Sequence, residues 1–324
     1  MPHTQHRDGR GLSASGPGAV VGTRRRAYVL LLALSLVWGT NWPVTSIGLG
    51  DLPPFTFGAL RVATALATLV GLLASVGRLR VPPRSDIPVV LSVGLGQVAA
   101  SIVLMNLALQ VLPAGRSSVL AYTVPLWVAG LQATVLRRRL ETRQAVGLLL
   151  GLAGLIVLVN PTVIAWSNPK QLAGSAALLA SAALVAATTI QLRQHRWTAS
   201  PLELQPWQLL SALVPLAMLA VGLDSHQPVH WGVRALLVIA YSGPLVTGFG
   251  YWAAQSITRV LSPIETTMGF LGVPVIGLVA GTLLRGEPLS TPIRKWVNVR
   301  DRLMQPAPGL SAAVRPGRDG DRAG

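Results

Sequence analysis

"VLPAGRSSVLAYTVPLWVAGLQATVLRRRL", residues 111–140, reads against "VLSPIETTMGFLGVPVIGLVAGTLLRGEPL", residues 260–289, as an earlier copy of the same element. The two align without a gap at an offset of 149. Val111 and Leu112 fall on Val260 and Leu261, Pro125 on Pro274, Leu140 on Leu289, and, upstream, Gly94 on Gly243. A slightly shorter offset, 147, pairs Pro54 with Pro201 and Arg61 with Gln208. Apolar stretches align easily by chance, whereas prolines matched at one depth in a long ungapped run carry more weight. Such self-similarity marks a fold assembled from repeats.

The solvent of that fold follows from composition. The chain has 324 residues, 51% hydrophobic and 12% charged, with a mean hydropathy of +0.53. A water-soluble domain carries roughly 25% charged residues. The charge-free gaps are long: 24 residues between Arg26 and Asp51, 29 between Asp86 and Arg116, 26 between Arg143 and Lys170. A membrane-spanning helix needs about 20 apolar residues, and backbone groups in hydrocarbon must be satisfied internally. Long runs of Leu, Ala, Val and Gly are not alternating strands, so the gaps predict helices. Nine are expected, near 27–47, 57–77, 87–109, 114–136, 143–160, 172–192, 207–223, 233–255 and 263–284. The span at 57–77 carries one charge, Arg61.

The net charge of +16 invites a nucleic-acid reading, but no basic helix stands apart from the spans, and basic residues in membrane proteins mark cytoplasmic loops. With the N-terminus inside, 15 Lys and Arg fall in inside segments and 4 in outside segments, up to Arg285. That places the protein in the cell membrane, multi-pass, with a cytoplasmic N-terminus. The first span is too long for a signal-peptide core and is expected to remain uncleaved. There are no cysteines, hence no disulfide and no thiolate metal site. Five spans per repeat is an odd number, so the second copy lies upside down relative to the first, as in many secondary transporters. The expected fold class is all-α, a polytopic membrane protein of inverted five-helix repeats. A cytoplasmic tail fills 1–26, the first repeat 27–160, a four-helix second repeat 172–290, and a basic tail 291–324. In the first copy "RRRLETRQAVGLLLGLAGLIVLVNP" supplies a fifth helix. In the second, "TPIRKWVNVRDRLMQ" stands where its equivalent is due. A tenth span is thus expected to be missing, through a frameshift after about residue 290 or through genuine truncation.

At "LSLVWGTNWPVTSIGLGDLPPFTFGALR" (34–61), "LQVLPAGRSSVLAYTVPLW" (109–127) and "SPIETTMGFLGVPVIGLVAGTLLRGEPLS" (262–290) the chain resembles the EamA-type permeases of the drug/metabolite transporter superfamily. The resemblance covers about residues 27–290. It implies ten helices in two inverted five-helix repeats with both termini inside. It also implies export, sometimes uptake, of amino acids, other metabolites or drugs without ATP hydrolysis. Arg138 departs from that pattern, standing where the first repeat often carries an acidic residue to match Glu287.

Polar groups within the spans are the candidate site, because buried polarity in lipid is costly. In "VWGTNWPV", Pro43 cannot donate a backbone hydrogen bond. A break there would free the Gly39 carbonyl and aim Trp38 and Asn41 into a cavity, with Trp42 at the interface. The alternative is a bond from Asn41 to a neighbouring helix. Tyr122 and Thr123 before Pro125, and Pro274 in the second copy, mark symmetry-related helix breaks, the usual pointer to a midplane site. Tyr251, Trp252 and Gln255 in the eighth helix, with Gln97 and Asn106 in the third, complete the candidate substrate-binding set; Asn106 and Gln255 are repeat partners. Arg61 reads as a structural anchor that snorkels toward the headgroups rather than as a substrate contact. Ser262-Pro-Ile-Glu265 reads as a capping box with proline at the first helical position, in preference to a proton-carrying Glu265.

His226 and His230 have helical metal spacing, but Pro228 separates them and no acidic cluster accompanies them. No metal, cofactor or catalytic constellation is expected, and no enzyme. The function read from the sequence is secondary-active or facilitative export of small organic solutes by alternating access. The rival is a non-transporting or degenerate membrane protein derived from a transporter gene. The expected partners are a small-molecule substrate and the lipid bilayer, with no nucleic acid; a homodimer is left open.

Overall fold

A computed structural model describes residues 17–135, 137, 141–159 and 168–285. Among these residues every regular element is helical, and a helix stands at each of the nine expected positions. They are α1 (Pro17–Gly48), α2 (Pro54–Ser75), α3 (Arg84–Leu109), α4a (Ala114–Ala121) with α4b (Val124–Thr134), α5 (Thr142–Val159), α6 (Pro169–Gln194), α7 (Pro201–Asp224), α8 (Val233–Val260), and α9a (Pro263–Gly269) with α9b (Gly272–Arg285). Seven are long and apolar enough to cross a membrane: 23–48, α2, α3, α6, α7, α8 and the α9 pair up to Leu284. Arg138, Glu287, the expected missing tenth span and the basic tail lie outside the described residues.

The helix starts follow from the sequence. Proline occupies the first turn of α2, α6, α7 and α9a, where its missing N–H costs nothing. Ser262 and Glu265 form the expected capping box on α9a. Ser200 and Glu203, in the same Ser-Pro-x-Glu pattern, form a second on α7. Asn168 caps α6, its side chain accepting from the Lys170 N–H at 3.0 Å. Large apolar side chains such as Leu283, Val221 and Met218 are exposed on the outside, as lipid-facing residues must be.

One expectation is corrected. Pro43 does not break α1; the helix continues through it to Gly48. What matters at that level is Gly39, where a Cβ would come within 2.4 Å of the Ile276 Cγ2 on α9b, so the glycine lets two helices touch. α1 extends back to Pro17, so Arg24, Arg25 and Arg26 are helical.

The two halves show matched irregularities. α3 widens into a π-helical stretch at Ser92–Ala100, and α8 does so at Tyr241–Phe249, position for position at the 149 offset. α4 breaks at Tyr122–Thr123 and α9 at Phe270–Leu271, one residue apart at that offset. The packing is reciprocal as well. A Cβ on Gly94 of α3 would lie 2.4 Å from the Gln208 carbonyl oxygen of α7, and one on Gly243 of α8 would lie 2.9 Å from the Arg61 carbonyl oxygen of α2. Arg61 and Gln208 are themselves partners at the 147 offset. Each half therefore lays the π stretch of its third helix on the second helix of the other half.

Ion pairs and carboxylates close the helix ends. Asp51 receives the Arg234 guanidinium, with Nε at 2.6 Å, and this bond holds the Asp51 carboxyl below its ordinary range. Asp224, buried at the end of α7, accepts the Thr56 N–H in the first turn of α2 at 2.6 Å.

Candidate functional site

A π-helical stretch leaves carbonyls off the regular ladder, and something must satisfy them in lipid. Here side chains facing the middle of the bundle do so. The Trp38 indole donates to the Val246 carbonyl at 3.2 Å and the Tyr251 hydroxyl to the Gln97 carbonyl at 3.1 Å. From α7, the Gln205 amide donates to the Gly248 carbonyl at 2.6 Å. A cavity lies beside the two widened helices. Its water-accessible space is about 140 Å³, and it is walled by α1, α2, α3, α4, α6, α8 and α9.

Six of the nine residues expected to bind substrate line this cavity: Trp38, Asn41, Gln97, Tyr122, Tyr251 and Gln255. Trp42 joins them rather than sitting at an interface. The other three stand elsewhere. Asn106 is buried and donates to the Pro54 carbonyl at 2.8 Å, tying α3 to the start of α2. The Thr123 hydroxyl returns to the Leu120 carbonyl at 2.9 Å, at the α4 break. Trp252 packs on Phe249. Unforeseen lining residues include Ser101, Ser181, Thr189, Thr258, Thr266 and Thr267. Thr266 and Thr267 follow directly on the Ser262 cap, and their position one turn into a helix was readable.

The aromatic wall is continuous. Trp38 lies 5.2 Å from Phe270 and 5.9 Å from Tyr251, centroid to centroid, and Tyr122 lies 6.5 Å from Phe270 and 6.4 Å from Trp42. Such edge-on and tilted packing fixes ring orientation. The polar wall is partly closed. Gln208 and Gln255, each 1% exposed, exchange two amide hydrogen bonds at 3.0 and 2.9 Å. Asn41 accepts from the Thr45 hydroxyl at 3.1 Å.

Arg61 is the main correction. It does not snorkel; it is 3% exposed and lines the cavity. Its Nε donates to the Thr247 hydroxyl at 2.7 Å, while Nη1 is buried without a partner. A charged side chain at the centre of a spanning helix costs roughly 2.5–3.5 kcal/mol on insertion scales, so its retention asks for a reason. Two further buried atoms without partners, Gln97 Oε1 and Ser101 Oγ, belong to residues of the same wall.

The Gln208–Gln255 pair gives a stability prediction. Gln255→Leu leaves the Gln208 amide buried and unpaired, an expected loss of about 2 kcal/mol. Adding Gln208→Leu removes the orphan, and most of that loss should return. Thermal unfolding of the two single variants and the double variant in detergent checks the cycle.

Glu265 accepts from the Ser262 N–H at 2.8 Å and pairs with Arg24 at 2.6 Å. The pair is largely exposed, and such pairs contribute little. Glu265→Gln should therefore leave the melting temperature and any transport activity close to wild type. Loss of a pH dependence of transport, at unchanged stability, would assign the residue to proton coupling instead.

Fold and cavity together define a polytopic helical membrane protein with a central, partly polar chamber. Residues 25–160 match the model of the EamA-like transporter family. Along most of its length the chain is also a relative of transporters and efflux pumps. It is 22% identical over 265 residues to the uncharacterized transporter YoaV of Bacillus subtilis, covering 80% of this chain and 89% of that one. It is 25% identical to a probable amino-acid metabolite efflux pump of Salmonella typhimurium, over 83% and 89%. A solved structure titled only as a crystal structure of a protein superposes with a TM-score of 0.63 at 22% identity, over 83% of this chain and 92% of that one; this likeness concerns the fold alone.

Proposed function

We propose that the chain is a carrier that exports small organic solutes across the cell membrane by alternating access. The observation that carries this is the cavity itself, enclosed by helices of both halves and flanked by the matched π stretches of α3 and α8. A reciprocal arrangement of this kind suits two inverted repeats rocking about a midplane site. The pairings of Gly94 with Gln208 and of Gly243 with Arg61 support the inversion. The named efflux pumps among the relatives support the direction.

The chain has no cysteine, so single cysteines report orientation without background. Under inversion Arg80→Cys, in the α2–α3 loop, should label only from the cytoplasmic side, and His226→Cys, in the α7–α8 loop, only from outside. Labelling of both from one side would overturn the inverted topology. Flux of radiolabelled solutes in proteoliposomes, alongside growth protection against toxic amino-acid analogues on overexpression, tests the carrier reading. A correctly inserted protein that moves none of them would refute it.

A further inference from the structure

We infer that the solute held in this cavity is an organic monocarboxylate with an apolar, ring-bearing body, and that the Arg61 guanidinium receives its carboxylate. This rests on the carrier reading only in taking the cavity as the solute site.

Charge bookkeeping around the cavity carries the inference. Arg61 remains protonated at any physiological pH. Among the described residues no Asp or Glu lines the cavity. The carboxylates that might have balanced Arg61 are engaged at helix ends. Asp51 is held by Arg234, Asp86 by His195, Glu203 by Arg78, Glu265 by Arg24, and Asp224 by the Thr56 N–H. The cavity therefore contains one buried cation, tied by a single neutral hydroxyl, Thr247, with Nη1 unpartnered. A charge so placed gains most from an anion that shares its fork-shaped donor geometry, and a carboxylate does.

The rest of the wall selects the body. Trp38, Tyr122 and Phe270 form a ring-lined side, which suits a planar or apolar group. The Trp38 indole N–H and the Tyr251 hydroxyl are already committed to backbone carbonyls, so the aromatic side presents faces and edges rather than free donors. An ammonium group finds no carboxylate here. A zwitterionic amino acid should bind less well than the matching monocarboxylate, and an organic cation least of all.

Calorimetric titration of the full chain in lipid nanodiscs, with empty nanodiscs as reference, tests this. The probes are phenylacetate, phenylacetamide, L-phenylalanine, phenethylammonium and acetate. Phenylacetate should bind saturably and at least tenfold more tightly than phenylacetamide or acetate, L-phenylalanine should fall between, and phenethylammonium should not compete. In Arg61→Gln the phenylacetate preference over phenylacetamide should collapse to within threefold while phenylacetamide affinity holds. Arg61→Lys, which keeps the charge without the fork, should retain part of the preference. Should Arg61→Gln not fold, the probe series on the unaltered protein decides alone. Equal binding of phenylacetate and phenylacetamide, preference for the cation, or no binding of any probe overturns the inference. Proteoliposome flux separates the two readings. Anion-selective binding without flux sinks the carrier reading and keeps the site, whereas flux of neutral or cationic solutes without anion preference does the reverse.

Discussion

Gly94→Ala is expected to destabilise the protein by about 3 kcal/mol, at the upper end of what one inserted methyl usually costs, and Gly243→Ala by less. Both glycines sit where a π stretch of one half meets the second helix of the other. At Gly94 a Cβ would stand 1.9 Å from the Ser211 hydroxyl oxygen and 2.4 Å from the Gln208 carbonyl oxygen. The hydroxyl can rotate away, but the carbonyl belongs to α7 and moves only with the helix. At Gly243 the clashes are with the Thr64 hydroxyl at 2.0 Å and the Arg61 carbonyl at 2.9 Å, so the backbone needs to yield far less. Removing the offending hydroxyls should therefore separate the two sites. Thr64→Ala should restore most of the stability lost in Gly243→Ala, whereas Ser211→Ala should restore little of that lost in Gly94→Ala. Chemical or thermal unfolding in detergent measures all four. Equal rescue at both sites would mean that the helices slide freely and that the close approach is not a fixed feature. Because Gln208 bonds Gln255 of the cavity wall and Arg61 lines it, solute binding should fall along with stability in both single variants.

That coupling was only half visible in the amino-acid order. Gly94 and Gly243 stand out as repeat partners at one offset, and Pro54, Pro201 and Pro263 announce helix starts by their chemistry. The Ser262–Glu265 cap follows from local spacing alone. Ser200–Glu203 carries the same signature, but hydropathy marks that span only from 207, because the first turn of α7 holds the charged Glu203. Other features depend on contacts that one strand of sequence does not encode. The π stretches keep the apolar texture of ordinary helix; Pro244 hints at one, and nothing comparable marks Ser92–Ala100. Arg61 reads as a residue near a helix start, and only the rotation of α2 against α8 decides whether it reaches water or Thr247. Asn106 reads as a cavity residue because Gln255 is its partner at the 149 offset, yet the two halves use that position differently, one to hold Pro54 and the other to hold Gln208. The backbone geometry of the two halves matches more closely than the roles of their single polar side chains do.

At the ends of the bundle, Asp86→Ala is expected to cost about 3 kcal/mol. Asp86 is fully buried in the first turn of α3. It accepts the Ala199 N–H at 2.8 Å and the Thr198 N–H at 3.3 Å just ahead of α7, and pairs with His195 Nε2 at 2.8 Å. Alanine leaves those backbone donors without their acceptor in a place water reaches poorly, and each orphaned group costs about 1–3 kcal/mol. Asn should recover part of the loss, since its carbonyl oxygen still accepts one of the two N–H bonds. In the other half the end of α7 performs the reciprocal task, Asp224 accepting the Thr56 N–H at the start of α2. Each half thus uses an acid near its second connection to hold the start of the opposite half's second helix. The helix starts held in this way are those of α2 and α7, whose Arg61 and Gln208 receive the glycine contacts deeper in the bundle. Asp224 accepts the Thr56 N–H and, at 3.3 Å, the Gln227 side-chain amide, so Asp224→Ala removes two bonds rather than three and should cost less. The two changes act at separate contacts with no shared partner, so their costs should add. Unfolding of Asp86→Ala, Asp86→Asn, Asp224→Ala and the double variant measures this. A double variant no worse than Asp86→Ala alone would show that one end already opens when the other is released, and that the halves move as coupled rather than independently fastened bodies.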